Sequence, residues 1–414
     1  MPESSPSPTN FNPRDTSVCV VGLGYIGLPT ASVLATKGYQ VYGVDVQADV
    51  VETINQGKIH IEEPDLDILV RSAVNSGQLT AGQQPQSADV FILCVPTPIR
   101  ADHSPDLSYI EQACQAIREH VRPGNLIILE STSPPRTTEN LVVPAAIPDG
   151  MTVGSDVFVA HCPERVLPGR ILLEVVQNDR VVGGVTPACT AQALKFYKTF
   201  VNGDVLATNS VAAEVTKLVE NSYRDVNIAF ANELSVLADA LGIDAWEIIE
   251  LANRHPRVNI LSPGPGVGGH CISVDPWFLV HAQPALTTLI RTAREVNDAK
   301  PAHVVQHVVK LAGQFSSPKI GCLGLTYKAD VDDLRESPSL AIVRQLREER
   351  VGEVLACDPL LSGDRFQEFE LYSLEHVLQH SNILVLLTDH RPFRDVPSKI
   401  LQEKIVVDTR GIWR

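Results

Sequence analysis

Long apolar runs are missing from this chain. No window approaches the roughly 18 consecutive apolar residues that a membrane-spanning helix needs, so no membrane partner is expected. The opening segment from Met1 to Asn10 has no apolar stretch of the kind a signal peptide carries, and it reads as part of a disordered tail over residues 1–16. Positive charge is in deficit. With 34 Lys and Arg against 49 Asp and Glu, the net charge is −15, which argues against nucleic acid as a partner while leaving room for local basic clefts that bind phosphate. The 8 cysteines include no CxxC pair, so a zinc ribbon or thioredoxin motif is excluded and no metal is expected. Cys19, Cys94, Cys322 and Cys357 lie in apolar strand-like runs and read as small buried hydrophobes. This usage fits a reducing cytoplasm.

What is present is enough for more than one core. At 414 residues and 44% hydrophobic content, the chain should hold two or three domains. The first block, residues 17–209, alternates apolar strands with helices. Ser17–Val21, Gln40–Asp45, Asp89–Val95 and Leu126–Glu130 are its strands, and continuous apolar strands separated by helices predict a parallel sheet covered on both faces. Residues 210–300 form a helical block, since Ala212 to Leu241 lacks proline and glycine and carries apolar residues at helical spacing. Residues 301–414 return to strands at 319–325, 354–358, 383–387 and 405–408. The predicted class is α/β, with two Rossmann-like, doubly wound parallel-sheet domains joined by a central helical region.

Two motifs carry chemistry. The first is Gly22-Leu23-Gly24-Tyr25-Ile26-Gly27, between the opening strand and a helix, with Asp45 at the end of the next strand. Gly22 suits a tight turn, Gly24 lets backbone meet a pyrophosphate, and Gly27 lets helix pack on strand. The helix N-terminus favours the phosphate charge. Asp45 accepts ribose hydroxyls and repels a 2′-phosphate, which predicts NAD rather than NADP. Thr97 and Thr132 follow two other strands at the same sheet edge and are candidates to touch the dinucleotide or a water; turn residues are the plainer reading. The echo of this motif at Gly321 and Gly324 lacks the third glycine.

The second motif is the run from Gly264 to Pro276, in which Cys271 follows several glycines and a histidine, with Asp275 four residues later. Glycine lets backbone approach a ligand, and a thiol there can attack a bound carbonyl if its pKa is lowered. His270 is given no catalytic role. Lys217, Asn221 and Arg224 form a stripe on the long helix. The apolar residues after them suggest a largely buried helix, in which a lysine can acquire a depressed pKa suited to proton transfer; a solvated face is the plainer reading. Glu164 is a candidate to position water or act as a base, and Arg165 a phosphate ligand, in the segment from His161 to Arg170. Residues 253–259, Asn-Arg-His-Pro-Arg-Val-Asn, make a basic loop in an acidic protein.

These motifs resemble the nucleotide-sugar 6-dehydrogenase family, which includes UDP-glucose and GDP-mannose dehydrogenases. The resemblance runs from about Ser17 to Arg414 and is carried by residues 164–169, 224–234, 253–260 and 291–298. It implies an NAD-binding domain at 17–209, a helical dimerisation region at 210–300 and a UDP-sugar-binding domain at 301–414, in a homodimer or higher homo-oligomer. It implies a four-electron oxidation of a sugar C6 alcohol to a carboxylate through a cysteine thiohemiacetal and thioester. Cys271 would be the nucleophile and Lys217 the proton carrier. Asn221 and Thr132 would support the oxyanion and a water, and Asp275 the thiol. Tyr25, Ile26, Asp45, Thr97, Thr132 and Arg335 match dinucleotide positions. Arg165, Val166, Lys217, Asn221, Arg224, His255, Arg257, Gly266, Tyr327, Lys328 and Arg410 match sugar-nucleotide positions.

Val274 and Pro168 depart from the UDP-glucose branch, which usually has lysine and an acid there. The matching runs stand nearer the branch that acts on UDP-N-acetyl-D-mannosamine. UDP-N-acetylglucosamine is the second choice, and UDP-glucose a weaker one. A two-electron 3-hydroxyacid or 6-phosphogluconate-type dehydrogenase would leave Cys271 and the third block unexplained. A non-catalytic nucleotide-binding protein would need neither Lys217 nor Cys271.

Overall fold

In the computed structural model, residues 11–166, 169–361 and 365–414 are described. Residues 1–10 of the expected tail, and Leu167 and Pro168 of the 164–169 motif, lie outside them. The chain divides into two compact units, Met1–Val219 and Glu220–Arg414.

The first unit is built on a sheet of eight strands: β1 (Ser17–Val21), β2 (Gln40–Val44), β3 (Leu79–Gly82), β4 (Val90–Leu93), β5 (Leu126–Leu129), β6 (Phe158–His161), β7 (Arg180–Gly184) and β8 (Val205–Asn209). They stand in the order β3-β2-β1-β4-β5-β6-β7-β8, parallel apart from the β6–β7 pair. The order reverses beside β1, which creates the crevice where such sheets bind ligands. Side chains alternate across a strand, and here both sets are buried. Val18, Val20, Val90, Ile92, Leu126 and Ile128 face one core. Cys19, Val21, Phe91, Leu93, Ile127 and Leu129 face the other. Helix Gly27–Thr36 covers the first core with Leu28, Ala31 and Leu34. Helix Ser108–Arg118 covers the second with Ile110, Ala113, Cys114 and Ile117. Each such leucine or isoleucine contributes about 1.5–3 kcal/mol by leaving water.

Residues 11–16 are not a loose tail: Phe11 is buried, its ring edge-on to Phe196 at 5.5 Å. An aromatic side chain with a free slot in the core buries too much apolar surface to stay in water.

The second unit starts within helix Ser210–Leu241, and the expected boundary at 209/210 is that helix's start. Helix Thr288–Ala312 runs through the boundary expected at 300/301, with Pro301 inside it. A polar seam ties these two helices together. Arg294 and Asp225, 1% and 0% exposed, pair at 2.6 Å. Asn297 donates to Asp225 at 2.8 Å, and Asn232 donates to Asn297 at 2.8 Å. Lys300 donates to Ser235 at 2.5 Å. The helix Ser210–Leu241 is less buried than expected. Tyr223, Phe230, Leu237 and Leu241 are 69%, 57%, 52% and 62% exposed, because in the single chain its partners cover only the seam side.

Beyond these helices lie β9 (Lys319–Leu323), β10 (Glu353–Cys357), the short antiparallel pair β11 (Arg365–Phe366) and β12 (Phe369–Glu370), β13 (Ile383–Leu386) and β14 (Ile405–Asp408). The parallel order β10-β9-β13-β14 makes a second, smaller Rossmann-like sheet. Among the described residues, no helix is long and apolar enough to cross a membrane.

Candidate active site

The glycine fingerprint of the first unit has the geometry its residues predict. Gly22 has φ 93°, and a Cβ on it would stand 2.5 Å from the Cys94 carbonyl oxygen. A Cβ on Gly27 would stand 1.8 Å from the Gly22 carbonyl oxygen. Nothing lies within 4 Å of the same point on Gly24, which is exposed, so its backbone is open to a ligand. No side chain caps the start of helix Gly27–Thr36, which leaves its amides for an anion. Asp45 follows β2, partly exposed, and is steadied by the amides of Leu23 at 3.1 Å and Gln47 at 3.0 Å. Tyr25 is exposed, Ile26 half-buried, and Thr97 and Thr132 half-buried at the ends of β4 and β5. This set fits a dinucleotide: glycine backbone, uncapped helix and a ribose acceptor along one sheet edge.

Glu164, the candidate to position water or act as a base, lies inside the fold. It is 6% exposed and turned inward, pairing with Arg180 at 2.5 Å while its other oxygen accepts the Arg165 amide at 2.7 Å. The Arg165 side chain donates to the Asp179 carbonyl at 2.6 Å, and Val166 packs on the core. Beyond this loop, buried Glu63 accepts the amides of Gly169 and Ile171, each at 2.7 Å. Lys217 is half-buried rather than buried.

In the second unit, Asn221 is buried and donates to Asp275 at 2.5 Å. Asp275 begins helix Asp275–Ala282, and its amide reaches back to the Cys271 carbonyl at 2.8 Å. Cys271 is exposed, whereas Cys19, Cys114, Cys162, Cys189, Cys322 and Cys357 are buried. Burial pushes the thiols of Cys114, Cys162, Cys322 and Cys357 up to about 12, so exposure singles Cys271 out as the accessible thiol.

The glycines before Cys271 have a different reason from the one expected. Side chains there would meet protein. A Cβ would lie 2.7 Å from Arg410 Nη1 at Gly264, 2.8 Å from Pro338 at Gly266, 2.7 Å from Tyr327 Cβ at Gly268 and 2.8 Å from the Tyr327 ring at Gly269. The run is therefore packed against residues 327–338 and Arg410, which brings two expected substrate residues, Tyr327 and Arg410, beside the loop bearing Cys271. Asn232 also fixes this run by accepting the Gly264 amide at 2.9 Å. Arg410 is itself held by Asp389 at 2.9 Å. Lys328 is exposed, and exposed Arg335 is bound by Asp333 at 2.6 Å. Arg224 is exposed on its helix, and His255 and Arg257 are exposed on the basic loop, whose ends Asn253 joins through both the amide and carbonyl of Ile260.

The second Rossmann-like turn differs from the first in a telling way. Asp358 stands where Asp45 does and accepts the Leu325 amide at 2.7 Å. It is 6% exposed, however, and also accepts the Thr326 amide and lies 3.3 Å from His390 Nε2. Ser337 caps the following helix, Pro338–Glu348. Carboxylate and helix start are both occupied by the protein's own groups, so this turn is not a second copy of the dinucleotide site. Nothing in the sequence marked Asn232 or His390 for these positions. Arg180, a charge opening a strand, was the one visible sign of the buried pair around Glu164.

Residues 16–201, 211–299 and 321–414 match, in turn, the NAD binding, central and UDP binding domains of the UDP-glucose/GDP-mannose dehydrogenase family. An NDP-N-acetyl-D-galactosaminuronic acid dehydrogenase of Ralstonia nicotianae is 52% identical over 406 residues, covering 96% of both chains. A UDP-N-acetyl-D-mannosamine dehydrogenase of Yersinia pestis is 49% identical over 416 residues, covering 96% of this chain and 99% of that one. The solved structure of a UDP-N-acetyl-mannosamine dehydrogenase from S. aureus superimposes with a TM-score of 0.87 at 42% identity, covering 96% and 95% of the two chains.

Proposed function

Because this chain belongs to the UDP-glucose/GDP-mannose dehydrogenase family and is an NAD-dependent nucleotide-sugar dehydrogenase, we propose that it oxidises UDP-N-acetyl-D-mannosamine twice at C6, giving UDP-N-acetyl-D-mannosaminuronate. The observation that carries this reading is end-to-end identity of 49% with the Yersinia pestis enzyme, together with the runs at 164–169, 224–234, 253–260 and 291–298. The 52% identity with the Ralstonia protein favours one other reading, a 2-acetamido sugar of galacto configuration. A panel of UDP-N-acetylmannosamine, UDP-N-acetylgalactosamine, UDP-N-acetylglucosamine and UDP-glucose, scored by NADH formed and by product mass, decides between them. A kcat/KM highest for the galacto sugar would replace the manno reading.

NAD, when bound, supplies the acceptor for each hydride. The chain's own part begins with Lys217, which takes the C6 hydroxyl proton as the aldehyde forms. The Cys271 thiolate adds to that aldehyde, giving a thiohemiacetal that keeps the half-oxidised sugar in place. Loss of the second hydride leaves a thioester, and water adds to it, releasing the carboxylate and returning the thiol. Asn221 steadies the oxyanion through its side-chain amide, which is already aligned by Asp275. Asp275 in turn fixes the backbone turn at Cys271. Thr132 orients the water. Glu164, with one oxygen on the Arg165 amide and the other on Arg180 of β7, acts as a positioning residue for Arg165 and Val166. Tyr25, Ile26, Asp45, Thr97, Thr132 and Arg335 are assigned to the dinucleotide. Arg165, Val166, Lys217, Asn221, Arg224, His255, Arg257, Gly266, Tyr327, Lys328 and Arg410 are assigned to the sugar nucleotide.

The exposed stripe of Tyr223, Phe230, Leu237 and Leu241 supports a homodimer through helix Ser210–Leu241. Residues 223, 230 and 237 recur at intervals of seven along the helix, the spacing of a helix–helix seam.

A further inference from the structure

We propose that Asn232 is a positioning residue for the loop that carries Cys271, and that Asp225, acting through Asn297, dictates which way Asn232 faces. This rests on the reading of Cys271 as the nucleophile. Apart from Arg224, the chemistry proposed above uses no residue of the runs 224–234 and 291–298, and this relay gives both runs a task. Asp225 and Asn232 stand seven residues apart on helix Ser210–Leu241, and Arg294 and Asn297 three apart on helix Thr288–Ala312. Each pair shares a helix face, and all four side chains are buried.

The hydrogen bonds run in one direction. The Asn297 amide nitrogen donates to the Asp225 carboxylate at 2.8 Å and to the Asp225 carbonyl at 3.1 Å. The Asn297 oxygen accepts the Asn232 amide nitrogen at 2.8 Å. The Asn232 oxygen accepts the Gly264 backbone amide at 2.9 Å. Both ends of this chain are fixed by their chemistry, because a backbone N–H only donates and a carbonyl or carboxylate oxygen only accepts. Turning over either asparagine, or both, sets donor against donor and acceptor against acceptor, and buried mismatches of that kind are costly. Arg294 holds Asp225 at 2.6 Å and spans to Asp298 with its other nitrogen.

The relay holds the start of the run to Cys271. Gly264 is buried, so its N–H needs a partner inside the fold. A Cβ there would lie 2.7 Å from Arg410 Nη1, so fixing Gly264 also fixes how closely the loop approaches Arg410. Further along, the Gly269 amide donates to the Arg335 carbonyl at 3.1 Å, and the Asp275 amide to the Cys271 carbonyl at 2.8 Å. The run is thus anchored at its start, just before the cysteine and at the cysteine itself. The first of these anchors comes from the two long helices.

The test is Asn297→Leu in the whole chain, a change of similar shape that removes no group bonded to Gly264 or Cys271. It leaves the Asn232 amide nitrogen without its acceptor. Hydrogen–deuterium exchange at the Gly264 amide should accelerate at least about fivefold over the native chain. The kcat should fall at least about fivefold with it, while calorimetry finds NAD affinity within about twofold, since the glycine fingerprint stands in the first unit. Lys300→Met is the control: it removes the bond to Ser235 at 2.5 Å, across the same two helices but outside the relay, and should leave Gly264 exchange within about twofold of native. Asn297→Ser serves if the leucine variant does not fold, with the same acceleration expected. Gly264 exchange unchanged in the Asn297 variant, an equal acceleration in Lys300→Met, or an unchanged kcat despite faster exchange overturns the proposal. The exchange readout needs no substrate. A native chain that oxidises no nucleotide sugar would refute the proposed function, while Gly264 exchange would still decide whether Asn297 orients Asn232.

Discussion

Replacing Arg180 by methionine should destabilise the first unit more than any surface substitution. Arg180 is 2% exposed. It pairs with Glu164 at 2.5 Å and donates to the Val175 carbonyl at 3.0 Å. Burial works against its charge, but the combined pull of Glu164, Cys162, Glu130 and Tyr197 outweighs that and raises its pKa. Methionine fills a similar space without charge, leaving Glu164 buried with only the Arg165 amide. Breaking a buried pair by removing one partner costs about 3–5 kcal/mol. For a unit of this size each kcal/mol moves Tm by about 2–4 °C, so a fall of roughly 6–20 °C is expected. Urea unfolding followed by circular dichroism measures the same change as a lower midpoint at constant slope. The exposed pair Arg71–Asp67, 62% and 47% exposed, is the control, and Arg71→Met should cost less than about 0.5 kcal/mol. The double variant Arg180→Met with Glu164→Met should recover most of the loss, because no uncompensated charge then remains at that pair. A single-variant cost under about 1 kcal/mol, or a double variant no more stable than the single, would refute the reasoning.

Cys271→Ser should abolish turnover while calorimetry finds NAD affinity within about twofold of the native chain, since a serine hydroxyl is not deprotonated near neutral pH without a base to activate it. Phe230→Glu should convert the dimer to monomer in light scattering, because it puts a charge in the middle of the exposed stripe. Burial lowers the Lys300 pKa from 10.5 to about 8. Between those values the unfolded chain binds more protons than the folded one, so this lysine adds stability as pH rises from about 8 towards 10.5. Lys300→Met should remove that rise from a Tm-against-pH curve.

The local part of this protein was legible in its sequence, and the long-range part was not. Strands such as Leu126–Leu129 announce themselves because a doubly covered parallel strand is apolar at every position. The Gly22–Gly27 turn was readable because its reasons lie within one strand, one helix and Asp45. The glycines before Cys271 were seen, but their reason was not. What excludes a side chain at Gly268 and Gly269 is Tyr327, more than fifty residues away in sequence. The pairs Arg180–Glu164 and Arg294–Asp225 were hidden for the same cause, since each joins separate elements and has no period. Phe11 looked like tail because composition around it is polar, and only the slot beside Phe196 gives it a place. Cys94 read as a buried hydrophobe, yet its thiol donates to Glu130.

The most direct test of the central claim is the number of NADH formed per sugar, with excess NAD and limiting UDP-N-acetylmannosamine. Two NADH per sugar and a carboxylate product are the predicted result. One NADH per sugar, with an aldehyde as product, would contradict the double oxidation and the thioester role given to Cys271.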